Sequence, residues 1–476
     1  MSNENCKRTS VQPTRREFLW EIGGGLAGIA LASMAHDEAR ADSRSTGLSH
    51  FGGRAKHVIF ISLPGGLSHL DSFDYKPELI KNHGKEMSGS NTIVPFNGKR
   101  GTVLKSPWEF RPYGKSGKFL SDLLPNINRC VDDLTFIHSM VARSNAHGPA
   151  LFQLSTGFIL QGFPSAGSWI SYGLGSLNNN LPSFVVLPDN RGLPPCGSAL
   201  WGNGFLPASH QGVIFGEEKQ PIADLRPPDR IGAADQAATY DLLTHLNEAH
   251  LSQHPEDDLL VSRIKAYELA AKMQLSAPEV TSITGESEKT KEDYGINNPI
   301  TRAYGYNCLL ARRLIERGVR CVQLYNGGHF GEPRVNWDAH EDLVTNHNKN
   351  GTILDKPTAA LLMDLKQRGM LQDTLVVFTT EFGRLPITEG IGEAGRDHNP
   401  EGFSIFLAGA GIKRGYSYGQ TDELGYKADA PTSIYDLHAT VLHLLGMDHK
   451  KLTFYHNGTY RRLTDVHGTV IKDILA

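Results

Sequence analysis

The sequence predicts an α/β protein with a mainly parallel sheet covered by helices on both faces. Short, uninterrupted apolar runs bounded by turn residues are the first sign, as in His57-Val58-Ile59-Phe60-Ile61-Ser62-Leu63 before Pro64-Gly65-Gly66. A strand buried on both faces reads this way, whereas a half-exposed strand alternates. The second sign is that segments of helical spacing separate such runs and end at glycines, Thr301 to Arg317 at Gly318 and Lys356 to Arg368 at Gly369. Helices alternating with apolar strands are the pattern of parallel strands joined by crossovers.

The elements follow in order. His57 to Leu63 is the opening strand, and Leu134 to Ile137 and Phe184 to Leu187 are of the same kind. The helix Thr301–Arg317 leads into a strand at Val319 to Tyr325, and the helix Lys356–Arg368 into one at Leu375 to Phe378. Ser404 to Leu407 is a further strand and Ser433 to Leu445 a further helix. Two stretches interrupt the alternation. Residues 76–118 are polar and rich in Gly, Lys and Pro, which reads as a long loop or small insertion. Residues 190–300 hold Pro-rich turns, a helical pattern around Asp257 to Gln274 and the polar run Ser282 to Asn298, which reads as an insertion or cap.

The 476 residues are 39% hydrophobic and 21% charged, a globular composition with ample core material. A net charge of −3 provides no global basic field for nucleic acid. None of the five cysteines, Cys6, Cys130, Cys196, Cys308 and Cys321, forms a C-x-x-C pair, so a zinc ribbon or thioredoxin-like motif is not expected, and spacing assigns no disulfide. Paired arginines in Thr14-Arg15-Arg16-Glu17-Phe18-Leu19 precede a weakly apolar run, Ile22 to Met34, and the A-x-A site Ala39-Arg40-Ala41. This reads as a twin-arginine (Tat) signal over 1–41. The run is short against the roughly 20 residues a membrane span needs. The expectation is a single domain over 42–476, carried out by the Tat translocase to the periplasm or beyond, with no transmembrane segment in the mature part.

Ligands of open α/β sheets bind beyond the carboxyl ends of the strands, so polar clusters after predicted strands are the candidate sites. The first is Ser68-His69-Leu70-Asp71-Ser72-Phe73-Asp74, reached through a Gly-Gly turn that permits close backbone approach. The second is Asn326-Gly327-Gly328-His329 with Asn336-Trp337-Asp338-Ala339-His340 and His347, where a carboxylate and an imidazole two residues apart can reach one cation. Oxygen and nitrogen donors suit zinc, manganese or iron. Glu381 and Arg384 in Thr379-Thr380-Glu381-Phe382-Gly383-Arg384 offer a ligand and an anion holder. Gly395-Arg396-Asp397-His398-Asn399-Pro400 is read as a loop before a strand, again suited to metal or anion. His147, in Ser144-Asn145-Ala146-His147, opens an apolar helix as nucleophile, ligand or cap.

Taken together, Gly-Gly-x-Ser-His-x-Asp, His147 with Ser155-Thr156-Gly157, Gly167-Ser168-Trp169, Asn336-Trp337-Asp338-Ala339-His340, Asp355-Lys356-Pro357, Glu381-Phe382-Gly383-Arg384, Gly395-Arg396-Asp397-His398 and Asp436-Leu437-His438-Ala439-Thr440 resemble the domain-of-unknown-function 1501 family. That family is abundant in planctomycete-type bacteria, is often labelled sulfatase-like, and is similar in turn to the alkaline phosphatase and sulfatase superfamily. The resemblance implies an alkaline phosphatase-like, three-layer αβα sandwich with a mostly parallel mixed sheet and a two-metal hydrolytic centre. It implies Asp71, Asp338, His340, Glu381 and His398 as ligands of a divalent metal (zinc, manganese or calcium). Arg384 or Arg396 would hold an anionic group, and His147 or Ser68 would act as nucleophile or general base. The substrate expected is an anionic sulfate or phosphate ester, including sulfated polysaccharide. The departures are definite: no cysteine lies in Cys-x-Pro-x-Arg, His147 stands where phosphatases carry Ser or Thr, and Pro64 or Gly65 replaces the first-strand Asp. The alternative expectation is therefore a catalytically degenerate scaffold that binds a glycan, an anion or a protein partner.

Overall fold

A computed structural model describes residues 49–476 apart from 88–92, 94, 97, 99, 217–231, 255–257, 332 and 393. The signal expected at 1–41 lies outside the described residues.

Alternate residues of the central strands enter two different cores. In His57–Ser62, Ile59 and Ile61 pack with Leu309, Leu314, Leu354 and Leu361 of helices Arg302–Glu316 and Leu343–Gln367. Val58 and Phe60 pack with Trp169, Ile170, Leu437 and Val441 of helices Ala166–Leu174 and Ile434–Leu444. Successive strand side chains point to opposite faces. A run apolar at every position therefore needs a cover on each side, and the result is a three-layer αβα sandwich.

The sheet has nine strands. Its order is Tyr416–Tyr418, Leu134–Val141, Phe403–Gly409, Thr374–Thr379, His57–Ser62, Cys321–Tyr325, Phe184–Leu187 and Val213–Ile214, with Thr432–Ser433 also pairing to Leu134–Val141. Among these strands only Phe403–Gly409 runs antiparallel to its neighbours, so the sheet is mixed and mostly parallel. In register, Ser62 lies beside both Tyr325 and Thr379. The three central strands thus end level, and the loops that follow them, carrying Gly65, Asp338 and Glu381, leave from one edge.

Two elements differ from the sequence-based expectation, and the two interrupting stretches take definite form. The helix expected at Lys356 to Arg368 starts thirteen residues earlier, at Leu343, capped by Asp342 accepting from the Thr345 amide, and it continues through Pro357. Proline removes one helical hydrogen bond; burial of Leu354, Leu361, Leu362 and Leu365 offsets that loss. The segment read as a loop at Gly395–Pro400 contains a strand, Arg396–Asn399, paired antiparallel with Gly383–Thr388 so that His398 faces Arg384. The 76–118 stretch carries the hairpin Phe110–Tyr113/Lys118–Ser121 and joins that strand pair through Val103, bridged to Ile387, over a small core of Leu70, Leu79, Ile93, Val103 and Leu385. The 190–300 stretch forms helices Ala233–Gln253 and Asp258–Thr281, the second burying Met273 and Val280 in the core beside Arg302–Glu316.

Cys130, Cys196, Cys308 and Cys321 are all free thiols. Among the described residues no helix is long and apolar enough to cross a membrane.

Two fully buried histidines make the fold acid-sensitive. Burial pushes His347 down to about 3 and His438 down to about 4. Between these values and about 6.5 the unfolded chain takes up protons that the folded chain does not. Stability is therefore full above about pH 6.5 and falls as the pH drops toward 3. The urea midpoint should be clearly lower at pH 4.5 than at pH 7.5; equal midpoints would contradict this.

Candidate metal centre

The site is assembled by backbone that packs unusually closely. Gly65 has φ +107°, and a Cβ there would lie 2.4 Å from the Asp338 amide nitrogen. Only glycine allows the first and second loops to meet this way. The Trp337 amide donates to Pro64 O at 3.0 Å, and the Gly65 amide donates to Glu381 Oε1 at 2.7 Å, which ties in the third loop. The fourth segment joins at Gly395, where a Cβ would fall on the backbone carbonyl of His340.

Around this junction His147, Asp338, His340 and His398 place ligand atoms within 4.8 Å of one another. Asp338 Oδ1 is the focus, with His340 Nε2 at 2.8 Å, His147 Nε2 at 3.3 Å and His398 Nε2 at 3.4 Å. His340 Nε2 and His398 Nε2 are 2.9 Å apart.

The opposite ring nitrogens decide the tautomers. His147 Nδ1 faces Glu381 Oε1 at 2.7 Å, His340 Nδ1 faces Glu389 Oε2 at 2.6 Å, and His398 Nδ1 faces the Asn145 carbonyl at 2.6 Å. Each partner is an acceptor, so each Nδ1 carries the proton and each Nε2 presents a lone pair. Three lone pairs and a carboxylate oxygen thus point at one another. Buried acceptors in mutual contact repel unless a cation lies among them. His147 Nε2 is buried with no hydrogen-bond partner among the described residues.

The titration shifts keep His398 neutral and Asp338 ionised, whereas His147 is drawn toward protonation. Burial, with the Arg384 charge adding to it, pushes His398 down to about 3 and keeps it neutral. Burial opposes ionisation of Asp338, yet the Arg384 charge and the close approach of the three imidazoles hold it well below the usual carboxylate range. Burial also opposes protonation of His147, but the Asp338 and Glu381 carboxylates beside it win and raise it. A proton on His147 is the alternative occupant of the space.

Three imidazole nitrogens and one carboxylate oxygen are a zinc-type donor set. Their separations about Asp338 Oδ1 are 2.8–3.4 Å and all four ligand atoms lie within 4.8 Å of one another, close enough to be drawn onto one cation. Carboxylate or carbonyl acceptors behind each ring fix orientation and raise basicity, as partners of ligating histidines do.

The residues expected from sequence divide accordingly. Asp338, His340 and His398 come together, and His147 joins them as a fourth donor. Glu381 and Asp71, expected as ligands, stand outside the cluster. Glu381 is fully buried, and its Oε1 receives His147 Nδ1 and the Gly65 amide. Asp71 is paired with Arg396, Nε to Oδ2 at 2.8 Å and Nη2 to Oδ1 at 3.2 Å, with both side chains wholly buried. Ser68 donates its hydroxyl to the same Asp71 at 2.5 Å and is itself fully buried, so it is no available nucleophile.

The two arginines expected to hold an anion are likewise engaged. Arg384 donates Nε to Gly66 O, Nη1 to Arg396 O, and Nη2 to Gly65 O and Asp338 Oδ1. Arg396 also donates to the Leu385 and Leu104 carbonyls. Both have fully buried side chains. The cation at the rim is instead Arg334, 31% exposed, with Nη1 3.2 Å from the Asp338 carbonyl and 3.9 Å from Asp338 Oδ2. It lies four residues before Asp338 in the stretch already marked by sequence. Glu389 carried no such signal, because only the Gly383–Thr388 hairpin returns it to His340.

The family described as Protein of unknown function (DUF1501) matches residues 55–475. The chain belongs to that family. No curated protein gives a significant sequence match. Among solved structures, this DUF1501 protein is similar to the PsFucS1 sulfatase from Pseudoalteromonas sp., at 11% identity over 91% of this chain and 72% of that one, with a TM-score of 0.32. It is also similar to the alkaline phosphatase from the Antarctic bacterium TAB5, at 12% identity over 83% of this chain and 99% of that one, TM-score 0.34. A third is the lipoteichoic acid synthase LtaP from Listeria monocytogenes, at 12% identity over 86% and 78%, TM-score 0.32.

Two outcomes test the assignment within this DUF1501 site. Glu381→Gln and Glu389→Gln should each weaken zinc binding about 10- to 100-fold, read by chelator competition. Asp71→Asn should leave zinc affinity near wild type but destabilise the fold by about 3–5 kcal/mol, because it strands a buried guanidinium. Loss of zinc binding with unchanged stability would instead make Asp71 a ligand.

Proposed function

We propose that this protein is a metal-dependent hydrolase of sulfate or phosphate esters that works outside the cytoplasm after Tat export. One observation carries the reading: three imidazole lone pairs and the Asp338 carboxylate converge at the carboxyl edge of the sheet. His147, Asp338, His340 and His398 would hold one divalent cation, for which zinc suits the donor set best. When bound, such an ion supplies Lewis acidity toward an ester oxygen and lowers the pKa of nearby water.

The chain's own groups would do the rest. Glu381, Glu389 and the Asn145 carbonyl hold the imidazoles in the ligating tautomer. Arg384 keeps Asp338 ionised and fixes its orientation. Arg334, at the rim with no acceptor other than Asp338 among the described residues, can turn its remaining N–H groups to an anionic oxygen. The twin-arginine signal in the sequence supports export, and Tat carries folded proteins, so a cation could be loaded before transport.

A second reading has its own support. Both serines in the first loop cluster, Ser68 and Ser72, are hydrogen-bonded away, and by the family resemblance His147 stands where phosphatases carry a hydroxyl nucleophile. A site that binds an anion on its cation without turning it over fits this as well.

Zinc-loaded mature protein should hydrolyse 4-nitrophenyl phosphate or 4-nitrophenyl sulfate. His340→Ala with His398→Ala should abolish both zinc content and turnover. Arg334→Ala should keep zinc but lower kcat/KM by about 10- to 100-fold, through loss of a charge-assisted contact. Stoichiometric zinc with no turnover of either ester favours the binding reading; no metal at neutral pH removes both.

A further inference from the structure

The rim of the centre carries two phenylalanines from segments far apart in sequence. Phe330, 38% exposed, lies with its ring centroid 4.4 Å from that of His147. Phe96, 51% exposed, lies 5.0 Å from His398. Beneath both histidines is Phe382, fully buried, at 4.8 Å from His147 and 4.6 Å from His398.

Single exposed apolar residues are ordinary on protein surfaces. Here, however, two large rings stand over the same four-residue cluster, one beside each of two donor histidines. Phe382 already completes the apolar backing from inside, so the outer rings are not needed to bury the imidazoles from below. Arg334 stands at the same rim, four residues after Phe330, next to Asp338. The mouth therefore offers a cation and a candidate metal for a charged group, and two aromatic faces for whatever that group is attached to.

We propose that Phe96 and Phe330 form an aromatic clamp that selects esters whose organic part presents a flat apolar face, an aryl ring or the C–H face of a sugar. This rests on the anion-binding centre proposed above. Aromatic side chains give large contact area and favour stacked or edge-on contact with such faces.

The test is calorimetric titration of the zinc-loaded full chain with inorganic phosphate, phenyl phosphate and glucose 6-phosphate. Wild type should bind phenyl phosphate, glucose 6-phosphate or both at least about tenfold more tightly than inorganic phosphate, the scale of a good aromatic contact. Which of the two is preferred tells aryl from sugar. The double variants F96A/F330A and F96L/F330L should bring that ratio close to one with zinc content unchanged. The leucine pair keeps apolar bulk and guards against a folding defect in the alanine pair.

An unchanged ratio in both double variants overturns the clamp, and so does loss of zinc in both, which would make the rings a shield for the imidazoles. Absence of any preference in wild type overturns it too. Ring-dependent binding without turnover of nitrophenyl esters would remove the hydrolase reading and leave the clamp standing. Turnover with an unchanged ratio would do the reverse.

Discussion

The Arg384 guanidinium has no exposed surface, yet it touches three of the chain segments that make the centre. It donates to the carbonyls of Gly65 and Gly66 after the opening strand, to the Arg396 carbonyl on the neighbouring strand, and to Asp338 on the second loop. A buried cation is costly unless paired and hydrogen-bonded. Satisfying this one demands that those segments occupy one arrangement, and that arrangement brings Asp338 under the three histidines. Arg396 with Asp71 does the same one layer away, anchoring the first loop to the Arg396–Asn399 strand.

The charge balance inside the centre supports the proposal that a cation binds there. Asp338, Glu381 and Glu389 all lie in or directly behind the histidine cluster, and Arg384 is the buried cation paired with Asp338. In a low-dielectric interior such an excess of acceptors is unfavourable. A divalent ion among the Nε2 atoms would relieve it. The same carboxylates that look superfluous to ligation hold the imidazoles in the tautomer that a metal requires. Placing the cluster at the level ends of three parallel strands fixes these groups to rigid elements.

The sequence was readable where local chemistry repeats. Runs such as Val58–Ile61 and Leu375–Phe378 are apolar at every position, and the structure buries the whole of the strands that contain them. The Asp338-x-His340 pair and His398 were visible as polar groups after or before strands, and they do meet. Pro357 hid the first half of the Leu343–Gln367 helix, because proline normally marks a boundary. Asp71 and Arg396 looked like ligand and anion holder, since sequence shows that a charge is near a strand end but not that a partner 325 residues away neutralises it. Glu389 and the two rim phenylalanines gave no local signal at all.

Composition and periodicity alone therefore determined the layered α/β architecture and the loops in which polar chemistry collects, because apolar patterning dictates which faces must be covered. Only the tertiary structure decided which acid is paired, which serves a histidine from behind and which faces the others. Those roles depend on contacts between His147, Asp338, His340 and His398 and on the close backbone approach at Gly65 and Gly395. Such contacts join segments hundreds of residues apart, and neither their distances nor their burial is written in any one stretch of chain.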